Sequence, residues 1–181
     1  MKKKLKVKKS FDINRRTWLN GTWIAAGVAH ESMLFSPDVR GMCCLGVYAE
    51  ACGVSPRKMS GHGDYSDSEI WAPYRIPENS SLRKLMSPPA NAEDEYCNTS
   101  KTHGSLVTIN DNEEMSLEQR EKKIQKTFKT VGVTVKFTGT YPKKVLAFVA
   151  QEKEKEKERK KAARLHHDTI IVGGRNSDFT G

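Results

Sequence analysis

The stretch RGMCCLGVYAEACGVSP, residues 40–56, constrains the fold more than any other part of the chain. Read as a helix from about Met42 to Cys52, it carries Met42, Cys43, Cys44, Leu45, Val47, Tyr48, Ala49, Ala51 and Cys52, and is apolar on nearly every face. Gly53 stands where a left-handed C-terminal cap belongs, and Pro56 blocks continuation. A helix without a broad polar face has to be buried. The rest of the domain must therefore be built around it. With 36% hydrophobic and 29% charged residues in 181, the chain can fill one modest core and must leave part of itself solvated.

Three of the four cysteines lie in this stretch, which raises the question of metal, redox or thiol chemistry. Cys44, Tyr48 and Cys52 fall on one helical face, but Cys44 and Cys52 are then two turns, about 12 Å, apart along the axis. A disulfide needs Cα atoms within about 7 Å, and one zinc ion needs sulfurs at about 2.3 Å. Neither fits. Cys43 and Cys44 are neighbours that point apart, and no C-x-x-C pair is present. Cys97, His62 or His103 could join through folding, yet no ligand spacing indicates it, so no metal and no cofactor are expected. SGHGDYSD around His62 is neither a phosphate loop nor a calcium loop.

A catalytic thiol is the sharper alternative. Cys43 and Cys44 would sit in the first helical turn, where free N–H groups favour a thiolate, with His62, His103 or one of several carboxylates as base. Packing is the better reading, because free cysteine behaves as a small hydrophobe. No catalytic residue is assigned. The expected core is Trp18, Trp23, Cys43, Cys44, Leu45, Tyr48, Cys52, Ile124, Phe128 and Val131.

The net charge of +9 is unevenly placed. Residues 1–16 hold Lys2, Lys3, Lys4, Lys6, Lys8, Lys9, Arg15 and Arg16 against Asp12, a net +7. Residues 142–165 add a net +5, and residues 17–141 are left at −2. A nucleic-acid-binding fold more often shows a basic face within the domain, and the favoured reading of basic ends is a solubilising tail, though they also hold phosphates without reading sequence. Those eight N-terminal residues are the candidate nucleic-acid contacts. Residues 1–9 and 152–181 show no periodic apolar face and are expected to be dispensable for the core.

The segment after the arm reads as extended chain with a hairpin turn at Asn20-Gly21, flanked by Trp18, Leu19 and Trp23. Residues 55–104 read as loops around Trp71, Tyr74 and Leu85. SLVTIND is a short apolar segment, and Asp111 or Asn112 caps or turns the chain after it. Ser116 and Gln119 have capping-box spacing. Leu117, Ile124, Phe128 and Val131 recur at helical spacing, Gly132 caps, and Val133, Val135 and Phe137 alternate as a half-buried strand. A charged helix follows Pro142, with each Glu from 152 to 158 followed three residues later by Lys or Arg. The last residues, 166–181, are expected to be disordered.

The expected organisation is a basic N-terminal arm (1–16), a single α+β domain (17–141), a charged helical extension (142–165) and the tail. Within the domain, a small antiparallel sheet packs against the buried cysteine-rich helix and the amphipathic 117–131 helix. No apolar run approaches the ~20 residues that cross a bilayer, and MKKKLKVKKSFD lacks a secretory apolar stretch. A cytoplasmic protein with reduced thiols is expected. The N-x-S/T triplets at Asn20, Asn79 and Asn98 then carry no glycan.

WLNG, GMCCLGVYAEACGV, LVTINDN and SLEQREKKIQKTFKTVGVTVKF occur here in that order, over residues 17–138. The series resembles a group of small bacteriophage and prophage proteins with an MCCLG helix and a C-terminal helix-strand unit. The resemblance implies origin and fold and carries no activity. It implies an accessory protein made in the cytoplasm of an infected bacterium, for which a non-enzymatic binding role is the first expectation. Such a protein binds a host or phage macromolecule, protein or nucleic acid, as in host takeover or anti-defence. Two alternatives remain: a nonspecific nucleic-acid-associated protein using its basic ends, and a thiol-dependent hydrolase or transferase.

Overall fold

The computed structural model describes residues 2–30, 32–63, 68–86 and 101–173. The chain is a mixed α+β protein. Its elements run β1 (Lys3–Lys4), β2 (Ser10–Asn14), α1 (Gly21–Ala25), α2 (Cys44–Ala51), α3 (Pro56–Met59), α4 (Ser68–Trp71), β3 (Tyr74–Arg75), α5 (Ser81–Met86), α6 (Lys101–Asp111), α7 (Leu117–Thr130), β4 (Thr134–Thr138) and α8 (Lys143–Gly173). Residues up to Pro142 form one compact unit, and α8 belongs to a second.

The cysteine helix is the centre of the first unit. Cys43 and Cys52 cap α2 at its two ends, and Gly53, at φ 100, takes the left-handed position after it. Cys44, Tyr48 and Ala49 have no exposed surface. Gly46 is a close approach: a Cβ there would lie 1.7 Å from the Leu34 carbonyl oxygen, so the chain at Leu34 rides directly on the helix. Phe11, Tyr48 and Phe128 form an aromatic triangle with ring centroids 5.0–5.5 Å apart, joining β2, α2 and α7. All ten expected core residues are buried.

The sheet expectation needs correction. Among the described residues both strand pairs, β1–β3 and β2–β4, are parallel. Parallel pairing requires a long crossover, and between β2 and β4 the chain supplies the whole helical body. The register Phe11↔Val135 and Ile13↔Phe137 puts four apolar side chains on the inner face.

The N-terminal boundary is also corrected. Residues 1–16 do not form a separate arm. Leu5, Phe11 and Ile13 are buried and Val7 packs against the core, a period-two pattern that runs through the lysines. Residues 1–9 are thus tied to the body: Leu5 is 3% exposed, and the amides of Lys3, Leu5 and Lys6 bond to the carbonyls of Pro73, Arg75 and Cys52.

Asn20-Gly21 forms no hairpin. Asn20 caps α1 instead, its side chain accepting from the Thr22 amide at 3.0 Å. The region read as loops contains α3, α4, β3, α5 and the start of α6, and the SLVTIND segment is the second half of α6. The helix-strand unit stands as read: Ser116 accepts from the Gln119 amide at 3.3 Å, and Gly132 sits at φ 76.

The second unit is a single helix. α8 runs to Gly173, beyond the expected end at 165, and 174–181 lie outside the described residues. Residues 153–164 are exposed, with pairs Glu152–Lys155, Glu154–Lys157 and Glu156–Lys160 at 2.7–3.2 Å. A helix that is polar all round rests on such pairs.

Candidate functional site

The polar interior gathers where α1, the start of α2, the end of α6 and the first turn of α7 meet. Asn110, in the last turn of α6, is 1% exposed and holds the junction together. Its Oδ1 accepts from Trp18 Nε1 at 2.8 Å and from the Cys44 amide at 3.3 Å. Its Nδ2 donates to the Leu19 carbonyl at 3.1 Å, to Ser32 Oγ at 2.7 Å and to Asp111 Oδ1 at 2.8 Å. A buried amide is tolerated only when satisfied in this way.

Arg120 completes the cluster from α7 and has no exposed surface. Nε donates to the Ile109 carbonyl at 3.2 Å, and Nη1 donates to Asn20 Oδ1 at 3.2 Å and Thr22 Oγ1 at 2.6 Å. Nη2 donates to the Asn112 carbonyl. The guanidinium fork thus ties the carbonyls at the end of α6 to the cap of α1. Burial pushes Arg120 below its ordinary value, while Tyr141 and Asp111 act in the opposite sense. Gly21 is the other required glycine, since a Cβ there would lie 2.5 Å from the Asp111 carbonyl oxygen.

Cys43 and Cys44 face this cluster across a small cavity lined also by Ser32, Asn110 and Asp111. Its volume is about 10 Å³, room for about one water and far below the ~300–1,000 Å³ typical of ligand pockets. At the helix start the Gly46 amide donates to Cys43 Sγ at 3.5 Å and favours its thiolate, while the Cys44 amide is taken by Asn110. Burial outweighs them and pushes the Cys43 thiol up to about 12, with the Asp111 carboxylate adding to the rise. Cys44 is driven well above its ordinary value by burial first, then by Cys43 and Asp111. Cys52 is also raised by burial. Neither His62 nor His103 lines the cavity. Among the described residues no group of three His, Cys, Asp or Glu side chains could hold a metal ion. Cys97 lies outside them.

The candidate nucleic-acid contacts divide. Lys2, Lys3, Lys4, Lys6, Lys8, Lys9 and Arg16 are exposed. Arg15 is committed elsewhere: it forms a bidentate pair with Glu121 at 2.6 and 2.7 Å. It also donates to the Phe137 and Gly139 carbonyls and lies over the Phe137 and Tyr141 rings. It fastens β2 to α7 and β4 and is withdrawn from the candidate set.

Sequence reasoning missed Asn110, Ser32 and Arg120 as members of one cluster. For Arg120 a signal existed. It lies four residues before Ile124 on the apolar stripe of α7, where a charged residue is out of place unless buried with partners. No helix among the described residues is long and apolar enough to cross a membrane. No protein-family model, no curated protein and no solved structure matches the chain.

Proposed function

We propose that the chain is a phage-encoded accessory protein, working in the infected bacterium by binding a host or phage macromolecule and not by covalent catalysis. The observation that carries the non-catalytic half is the closure of the cysteine cluster. Both thiols at the start of α2 are buried and held protonated, and Asn110 and Arg120 spend their donors on the protein itself. A nucleophile needs a thiolate, and burial in this arrangement opposes one. The phage origin rests on the ordered motifs WLNG, MCCLG, TINDN and the 116–137 helix-strand unit.

Native-state thiol labelling followed by peptide mass spectrometry tests the reading. Cys43 and Cys44 should stay unmodified until denaturant unfolds the chain, because the thiolate is the reactive form. Rapid labelling of either in the folded protein would favour the thiol-dependent hydrolase or transferase instead.

A further inference from the structure

We infer that the outward side of the N-terminal segment, Lys4, Lys6 and Lys8 with Arg75, is a docking face for a nucleic-acid phosphate backbone. This deepens the binding reading above and rests on it. In the sequence these lysines look like a tail. In the fold they are the solvent side of an extended segment whose other side, Leu5 and Val7, is packed into the core. Alternation along such a segment places Lys4, Lys6 and Lys8 on one side at intervals of about 7 Å. The backbone that carries the row is anchored through the amides of Leu5 and Lys6.

The second observation is the partner strand. Lys4 stands directly opposite Arg75 in the β1–β3 register, and both are exposed. Like charges directly across a strand pair destabilise it. The other strand pair does the reverse, setting Asp12 opposite Lys136. None of Lys4, Lys6, Lys8 or Arg75 forms an ion pair with a carboxylate among the described residues. Lys8 ends the row in a shallow groove that Asp12 and Glu50 also line. A row of exposed cations with no carboxylate partner among the described residues is matched by a row of phosphates. Lysines are point charges that neutralise phosphate without reading bases, so the complex is sequence-indifferent and strongly salt-dependent.

The test is a fluorescence-anisotropy titration of a labelled mixed-sequence DNA duplex with the full chain, at several salt concentrations. Three proteins are compared: wild type, Lys4→Gln/Lys6→Gln/Lys8→Gln, and a control from α8, Lys153→Gln/Arg159→Gln/Lys161→Gln. All six positions are exposed, and circular dichroism melts confirm that each variant is folded. Each phosphate contact contributes about 0.9 to the slope of log Kobs against log salt, so the first variant should lose about 2.7. Between about 50 and 200 mM salt the wild type should then weaken about 40-fold more than that variant. The α8 control should keep the wild-type slope. An unchanged slope in the Lys4/Lys6/Lys8 variant, or no duplex binding at the lowest salt, overturns the inference. So does displacement of the duplex by poly-aspartate as effective as that by unlabelled DNA at equal charge, which would assign the face to acidic proteins. The two readings fail separately, since fast native thiol labelling bears on the first and the salt slope only on the second.

Discussion

Replacing Arg120 by methionine keeps much of the side-chain volume and removes all of its hydrogen bonds. Four acceptors lose a donor: the carbonyls of Ile109 and Asn112, Asn20 Oδ1 and Thr22 Oγ1. Asn20 Oδ1 keeps the Thr22 amide at 3.0 Å, and the Thr22 hydroxyl can rotate. Leaving a fully buried acceptor unsatisfied costs about 1–3 kcal/mol; the two carbonyls at the end of α6 belong to a half-buried Ile109 and an exposed Asn112, so about 2–6 kcal/mol for the pair is an upper bound. Release from burying a guanidinium offsets part of that. A net loss of about 3 kcal/mol is expected, which lowers Tm by about 6–12 °C in a unit of this size. Thermal and urea unfolding followed by far-UV circular dichroism measure it. A double-mutant cycle with Thr22→Val should show a coupling of about 0.5–3 kcal/mol, the range for residues in one network. A Tm within about 2 °C of wild type, or zero coupling to Thr22, would refute the view that Arg120 holds this junction together.

Gly46→Ala should destabilise by more than the ~1–3 kcal/mol usual for overpacking, because its Cβ would meet a backbone carbonyl at 1.7 Å; a normal urea midpoint contradicts that contact. Burial of Cys43 and Cys44 makes stability fall at alkaline pH. A thiol whose folded pKa is raised contributes fully below the unfolded value, ordinarily 9.0, and loses that contribution as pH climbs toward about 12. The unfolded chain releases the proton first, so each thiol costs up to about 1.4 kcal/mol per pH unit in that window. The Cys43→Ala/Cys44→Ala variant should show a flatter dependence of Tm on pH, and an identical one would contradict the burial. Leu5→Ala should cost about 2–4 kcal/mol, and removal of residues 1–9 more, whereas removal of 152–181 should leave the first unit's melting transition intact. A deletion of 1–9 that melts like wild type would restore the segment to a tail.

Local order was legible in the sequence wherever periodicity and a stop signal coincide. The cysteine helix, read as 42–52, runs Cys44–Ala51 with Cys43 and Cys52 as caps, because an all-round apolar run closed by Gly53 and Pro56 has few other ways to be satisfied. The 117–130 helix, its Ser116 cap and the strand after Gly132 follow from the same logic. The inner alternation of Leu5, Val7, Phe11 and Ile13 was also present in the sequence, masked by the lysines between them. What pairs with what was not written locally. β2 lies beside β4 across more than a hundred residues, so strand direction is decided by how the intervening helices bury their faces. The Asn20 signal is ambiguous for a related reason. The same side chain that favours a turn also caps a helix, and its neighbours decide between them, here α6 and the guanidinium of Arg120. Asn110 is an ordinary letter on its own helix, and Arg120 stands out only as a charge on an apolar stripe. They become one cluster because helix ends at α1, α2 and α6 converge on them, and the amides and carbonyls left there take them as partners.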